Sequence, residues 1–450
     1  MDASFAAFLA GHPHLDAVDL LLTDASGTLR GKRIPGSQLG SVLRNGRYLP
    51  ESILGLDVTG RDVEATRLIW DDGDADRLCR AVPGTLVEVP WMERPAAQVL
   101  LTMHAADGSP FHADPRQVLA GVVAQLAGQG LHPVVAVELE FYLLDRERDA
   151  LGRPQPPRSP RSGSRPDQPQ VYGIAELDDV EPFLAELSRV CAVQGLPADT
   201  AISEYAPGQY EINLRHRADA LQAADEAVMF KRAVKAVARR HGMLASFMAK
   251  PFSELAGSGM HLHLSLADAQ GRNRFADPQG GETLLRQTIG GMAATMADAM
   301  AIFAPTGNAW RRFQTHSYAP VAPTWGVNNR TVGLRVPLGP PETRHVEHRI
   351  CGADANPYLA LAAVLAGAAH GIAAAIDPGP PVTGNGYEQP MPPLPKHWHL
   401  ALDALDASAG MREALGPRFV DVFLALKRHE MRLFQATVTD LDYALYLETA

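Results

Sequence analysis

Cysteine is scarce in this chain: Cys79, Cys191 and Cys351 are the only three in 450 residues, far apart and without a C-x-x-C pair. That spacing excludes a thiolate zinc knuckle and a disulfide framework, and it fits a reducing, cytoplasmic setting. Basic runs are also missing. Lys and Arg number 41 against 51 Asp and Glu, a net charge of −10 that repels nucleic acid. The opening MDASFAAFLAGHPHLD lacks the positive stretch of a secretion signal and reads as a short amphipathic helix. Only Leu359 to Ile376 approaches membrane-spanning length. It is mostly alanine, carries His370 and follows Asn356-Pro357, so it reads as a buried core helix. No membrane partner is expected. Walker A is absent, because Gly31-Lys32 lacks the upstream glycine spacing and the following Ser or Thr, and no G-x-G-x-x-G follows a strand.

What is present is a large potential core, with 46% hydrophobic residues, enough for two or three domains. Residues 1–105 read as a small β-rich domain. VDLLLTDASGTLRGKRI forms a hairpin turned at Ala25-Ser26-Gly27, and LVEVPW and AQVLLTMH are further strands. Residues 106–450 form the second domain. A helix opens it, with Asp114 as N-cap, Pro115 at the first position and Gly130 at the end. A longer helix runs from about Asp219 to Arg240, closed by Gly242. Two Pro-rich stretches, 154–170 and 377–395, read as surface loops.

Five segments alternate apolar and polar residues, and in a strand i and i+2 share a face. VELEFYLL puts Glu138 and Glu140 on one face. GQYEINL presents Gln209, Glu211 and Asn213, and MHLHLSL presents His261, His263 and Ser265. TVGLRVP offers Thr331 and Arg335, and RHVEHRI offers His345, Glu347 and Arg349. An ordinary solvated face mixes Lys, Thr, Ser and Glu, whereas these carry Glu, His and Arg and no Lys. Carboxylates at i and i+2 repel unless a cation lies between them. Converged, the five faces line one polar cavity whose oxygen-rich ligands suit Mg²⁺ or Mn²⁺ better than zinc. Metals with arginines neutralise a transferring phosphoryl group. The residues by themselves therefore point to metal-dependent phosphoryl transfer on a sheet.

VELEFYLLD, SEYAPGQYEINL, FMAKPFSELAGSGMHLHLSL, WGVNNRTVGLRVP and RHVEHRICGADANPYLALAAVL, in this order and spacing, resemble the blocks of type I glutamine synthetases. The resemblance runs from about Val18 to the C-terminus. It implies an α+β fold: an N-terminal β-grasp domain, then a catalytic domain whose antiparallel sheet forms an open funnel taking ATP at one end and glutamate at the other. It also implies a homo-oligomer, a dodecamer with active sites completed by a neighbour. Two or more Mg²⁺ or Mn²⁺ ions per site are implied, the first held by Glu140, Glu204 and Glu211, the second by Glu138, His261 and Glu347. His263, Ser265 and Arg335 match nucleotide-side positions. Arg330 matches the arginine steadying the transferred phosphoryl group. Arg312 and Gly257 match glutamate-binding positions, Arg349 lies by the reacting carboxylate, and Asp57 matches the aspartate that deprotonates the amine. Asp57, Arg330 and Glu347 thus form the catalytic set.

Three departures bear on the amine. Tyr318 stands where glutamine synthetases place a glutamate over the ammonium site, Ala256 replaces an asparagine, and GPPET before Arg344 lacks a lysine. An aromatic side chain offers an alkyl chain a wall and a cation a π face. SYAPVAPTWG and DVTGRDVEATRLIWDDGDADR look most like the γ-glutamylpolyamine synthetase branch. The expected reaction joins L-glutamate to an organic amine such as putrescine through γ-glutamyl phosphate. Ammonia, ethanolamine or a small alkylamine are the alternative nucleophiles. Tyr387 lies where relatives are adenylylated, but GNGYEQPMPPLP departs from the modified motif.

Overall fold

The computed structural model describes residues 2–390 and 392–450. Its first sheet contains β1 (Ala17–Thr23), β2 (Leu29–Pro35), β3 (Arg47–Pro50), β4 (Asp76–Ala81), β5 (Val87–Glu88) and β6 (Ala96–His104). The strand order is β2-β1-β6-β4-β3, with β5 also on β6. The β1–β2 hairpin turns as expected: Gly27 adopts φ +77° and its N–H donates to Asp24 O at 3.0 Å. LVEVPW contributes only the two residues of β5, after which Val89 N–H donates to Ala96 O at 2.8 Å and the chain turns with Met92 N–H donating to Val89 O.

The second sheet holds β7 (His132–Asp145), β8 (Ala198–Ser203), β9 (Gln209–Leu214), β10 (Met243–Ser246), β11 (Met260–Ala267), β12 (Trp325–Val327), β13 (Leu334–Val336) and β14 (Val346–His348). Its order is β12-β13-β14-β11-β7-β9-β8, with β10 also on β7. Every pairing is antiparallel except β12 with β13. The fold is α+β. TVGLRVP and RHVEHRI are strands for only three residues each. Thr331 lies outside β13 because Asn329 Oδ1 accepts from both its N–H and its hydroxyl, closing a local turn instead of a ladder.

Helices back the sheet. Pro115–Ala127 begins with Asp114 accepting from Arg116 N–H, and Gly130 beyond its end takes φ +72°. Ala220–Arg240 begins under Asp219, whose carboxylate accepts from Leu221 and Gln222 N–H. Pro357–Ala373 is capped by Asn356 and buried from Pro357 to Ala369. It is the expected core helix; among the described residues no helix is long and apolar enough to cross a membrane. At the N-terminus, Ala3–Gly11 turns Phe5, Phe8 and Leu9 inward, at i, i+3 and i+4.

One continuous apolar core joins both sheets. Polar clamps reinforce the junction. Asp19 on β1 accepts from Arg33 at 2.6 Å and from Arg232, on the helix Ala220–Arg240, at 2.5 Å. Asn356 Nδ2 donates to Asp24 O at 2.8 Å, and Lys427 Nζ to Ser26 Oγ at 2.9 Å.

Candidate active site

Strand register assembles the polar face. Along β7, Val137, Leu139, Phe141 and Leu143 are buried to 1% exposure or less, while Glu138 and Glu140 point to the opposite side. Glu138 lies opposite His261 on β11 and opposite Asn213 on β9. Glu140 lies opposite Glu211. Farther across, His263 faces Glu347, and Glu347 faces Arg335. Five segments separated by up to two hundred residues thus contribute to one oblique row.

Glu138 anchors its centre. His261 Nδ1 is 3.1 Å from Glu138 Oε2, His263 Nε2 is 2.9 Å from Oε1, and Asn213 Nδ2 donates to Oε1 at 2.9 Å. Glu347 accepts from Arg335 at 2.7 Å and also pairs with Arg349. Glu140 accepts from Gly259 N–H at 2.8 Å and Gln209 Nε2 at 3.2 Å, with His261 Nε2 at 3.8 Å.

Two groups of side chains bring ligand atoms within 4.8 Å of one another: Glu138, Glu211 and His261, and Glu138, His263 and Glu347. These groupings cut across the ligand sets implied by the resemblance. His263 stands among the carboxylates, while Glu140 spends one oxygen on Gly259 and Gln209.

The crowding is visible in the acidities. Burial first, then repulsion from Glu138, Glu140, Glu204 and Glu347, pushes the Glu211 carboxyl up to about 9. Burial and Glu140 raise Glu204 to about 7, against the opposing pull of Tyr205 N–H and Arg330. At Glu347 burial is outweighed by Arg349, His261 and His263, which hold the carboxyl at about 2. At Glu138 burial is likewise outweighed, by the two histidines, and the carboxyl sits far below its ordinary value. Carboxyls forced up by one another are relieved by a divalent cation between them, so the set fits a hard metal with oxygen and imidazole ligands. On the anion-binding side, Arg335 Nε and Arg349 Nε are buried donors without acceptors among the described residues. They fit an incoming oxyanion.

Glycines let these groups approach. A Cβ on Gly259 would lie 2.8 Å from Arg312 Nη2, 3.0 Å from His261 Nε2 and 3.3 Å from Glu140 Oε1. At Gly257 it would lie 2.6 Å from Ala249 O and 2.8 Å from Arg312 Cγ. Arg312 is buried and donates to Ile350 O at 2.7 Å, so it is no half of a surface ion pair.

The remaining expected residues are more dispersed. Ser265 follows His263 on β11, paired with Val134. Arg330 is exposed, near enough to Glu204 to act on its charge. Tyr318 is 62% exposed on a loop. Asp57 makes none of its contacts with this cluster. It is fully buried, its Oδ1 accepting from Thr59 and Arg61, its Oδ2 3.5 Å from His429 Nε2 on the helix Pro417–Ala436. Burial pulls its carboxyl up, but the bonds from Thr59 and Arg61 outweigh it and hold it below its ordinary value. Gly259, whose N–H orients Glu140, is the residue the sequence reading did not single out, whereas Gln209 and Asn213, expected on the polar face without a role of their own, orient Glu140 and Glu138. Gln209 and Asn213 flank Glu211 at i−2 and i+2, which puts all three on one face.

The row sets carboxylates and imidazoles beside Arg335 and Arg349, a lining that fits a divalent cation and an oxyanion. The family model described as "Glutamine synthetase, catalytic domain" matches residues 112–446. The gamma-glutamylputrescine synthetase of Escherichia coli K12 is 43% identical over 98% of this chain and 94% of its own. The gamma-glutamylethanolamide synthetase of Streptomyces coelicolor is 34% identical, over 95% of this chain and 92% of its own. A solved GmaS–ADP complex superposes with a TM-score of 0.86 at 28% identity, covering 99% of this chain and all of that one. The chain belongs to the glutamine synthetase family.

Proposed function

We propose that this protein is an ATP-dependent ligase that joins the γ-carboxylate of L-glutamate to an organic amine, with putrescine or another polyamine as the favoured class. The observation that carries the reading is the full-length likeness to ligases that make γ-glutamyl amides, on a chain whose acid row is complete. Relatives named glutamine synthetase are also similar, one from Halobacterium salinarum at 31% identity over 96% of this chain. What favours an organic amine over ammonia is Tyr318, an exposed aromatic ring at the position where, by the family resemblance, a carboxylate would help to capture a small hydrated cation.

Glu138, Glu140, Glu204, Glu211, His261 and Glu347, with His263 beside them, would hold two Mg²⁺ or Mn²⁺ ions. Bound there, the metals supply charge neutralisation for phosphoryl transfer. Arg312 and the Gly257 backbone hold glutamate, and Arg349 draws its γ-carboxylate toward ATP. Ser265 lies on the nucleotide side of the sheet. Arg335 and Arg330 balance the charge that develops as the γ-phosphoryl group leaves ADP for the carboxylate oxygen. The acyl phosphate then has a leaving group. The ammonium form of the amine gives one proton to Asp57 of the partner subunit, its nitrogen bonds to the γ-carbon, and the C–O bond to phosphate breaks as the nitrogen's second surplus proton passes to the departing phosphate.

A neighbour's Asp57 requires assembly, so we read the active form as a homo-oligomer, a dodecamer on the family pattern, with residues 1–105 as the donating unit. The exposed C-terminal segment supports this: Val438, Leu441, Tyr443, Leu445, Tyr446 and Leu447 are each at least half exposed in the single chain. The cytoplasm, where ATP and glutamate are available, is the expected site of action. The test is phosphate release from ATP with glutamate and Mg²⁺ across ammonium, ethanolamine, putrescine and spermidine. The highest kcat/KM belongs to a diamine or polyamine; if ammonium wins, the protein is a glutamine synthetase.

A further inference from the structure

The loop that carries Tyr318 adopts an unfavourable backbone. His316 and Tyr318 both take left-handed conformations, φ 65° and 57°, which side chains with a Cβ seldom adopt unless something holds them. Local bonds hold part of the loop, with Ser317 Oγ donating to Gln314 O at 2.6 Å and lying 3.2 Å from Arg312 O. The rest of the restraint comes from far along the chain. Tyr387 stacks obliquely on His316 with ring centroids 5.5 Å apart, and its hydroxyl donates to Ala319 O at 3.2 Å. Asn385 in turn caps Tyr387, accepting from its N–H at 3.1 Å.

The same strap, residues 382–389, grips a second loop. Val382 N–H donates to Trp325 O at 2.8 Å, and Asn329 Nδ2 donates to Gly384 O at 2.8 Å. Gly386 N–H donates to Thr331 Oγ1 at 2.7 Å, and a Cβ on Gly386 would meet Thr331 O at 2.6 Å. Arg330 sits between the two gripped residues Asn329 and Thr331. One strap therefore ties the Tyr318 loop by a side chain and the Arg330 loop by its backbone.

We propose that Tyr387 is a positioning residue for amine selection: it holds the Tyr318 loop in its left-handed form, while Gly386 separately holds the Arg330 loop. The inference rests on Tyr318 lining the amine entrance. Tyr387 bonds to Ala319 and packs on His316, both in the Tyr318 loop, whereas Arg312 and Arg349 reach its hydroxyl only through their charge, so its loss falls first on the amine. Losing one neutral hydrogen bond corresponds to an effect of about two- to tenfold.

Steady-state kinetics on the full-length protein test this, varying ATP, glutamate and putrescine in turn. Tyr387→Phe keeps the ring against His316 and raises the putrescine KM about two- to tenfold, with a smaller effect on the glutamate KM and none on the ATP KM. Tyr387→Ala raises it further and narrows the preference for putrescine over ammonium. Thr331→Val, which removes the acceptor of Gly386, lowers kcat or raises the ATP KM and leaves amine preference intact. Tyr318→Ala is the control on the premise. If it weakens putrescine use while Tyr387→Ala does not, the strap has no part in selection and the proposal fails. If Tyr318→Ala changes nothing, the amine-site reading of Tyr318 falls and takes this inference with it. If Tyr387→Ala raises all three KM values alike with a lower Tm, its role is stability only, which also overturns the proposal.

Discussion

At the residue scale, the acid row separates chemistry from folding. Glu140 and Glu347 sit on one polar face whose reverse is closed by core side chains, so removing either carboxylate leaves the core untouched. Glu140→Ala should therefore fold with a near wild-type Tm. Glu347→Ala should fold with a lowered Tm because buried Arg349 loses its partner. Both should lose metal-dependent phosphate release; turnover surviving in either would remove the two-metal reading. Gly259 makes a sharper case. Its missing side chain leaves room for Arg312, His261 and Glu140 to approach within 2.8 to 3.3 Å of where a Cβ would stand. Gly259→Ala should displace at least one of them and lower kcat/KM by roughly a hundredfold or more, a barrier increase of about 3 kcal/mol. An alanine variant with full activity would mean the three groups need not be this close. Tyr318 is the residue proposed to select the other substrate. Each methylene buried against its ring contributes up to about 0.8 kcal/mol, and a few of them with one cation contact reach the roughly 3 to 4 kcal/mol of a several-hundredfold preference. Tyr318→Glu should narrow the putrescine-to-ammonium ratio of kcat/KM; an unchanged ratio would exclude this ring from the amine entrance.

At the element scale, the first sheet is held to the helix Ala220–Arg240 by Asp19. Burial works to raise its carboxyl, but hydrogen bonds from Arg33 and Arg232 outweigh burial and hold it below its ordinary value. A carboxyl depressed in the folded state stabilises at pH above its unfolded value, about 4. That contribution is lost as pH falls through the lower, folded value. Asp19→Asn should accordingly destabilise by about 2 to 3 kcal/mol at neutral pH, less than a fully buried pair because Arg33 is half exposed. Its gap from wild type, measured by urea melts, should close below about pH 4. A gap that persists unchanged at low pH would show that Asp19 acts through packing rather than charge. The same helix was legible in advance because Asp219, the apolar spacing and Gly242 all agree on its ends. The short strands β13 and β14 were not. For β13 the alternation continues through TVGLRVP, but the Asn329 turn takes the hydrogen bonds a longer strand would need.

At the scale of the whole molecule, Asp57 poses a geometric question. In the single chain it is buried against His429 and its own loop, whereas its proposed task lies in a neighbour's site. Assembly must therefore open or reorient the loop. Light scattering should show an oligomer at assay concentration, and a fully active monomer would contradict a shared site. Mixing Asp57→Ala with Glu140→Ala subunits should restore some activity, because a hybrid interface can hold one intact pair. No restoration from a mixture that demonstrably exchanges subunits would place Asp57 in its own chain's business alone.

The sequence by itself determined the two-residue period that sorts Glu138, Glu140, Glu211, His261 and His263 onto one side of their strands. It also carried the ordered blocks that mark the family and the Tyr318 exchange on which the amine proposal rests. Those are local properties, written in neighbours along the chain. Only the tertiary structure decided which of those carboxylates crowd together, that Gln209 and Gly259 occupy one oxygen of Glu140, and that residues 382–389, legible only as a Pro-rich loop, strap the Tyr318 and Arg330 loops in place. These depend on strand register and on close backbone approach between segments more than fifty residues apart. No spacing within a single segment encodes such contacts, because they arise only when separate segments are packed against one core.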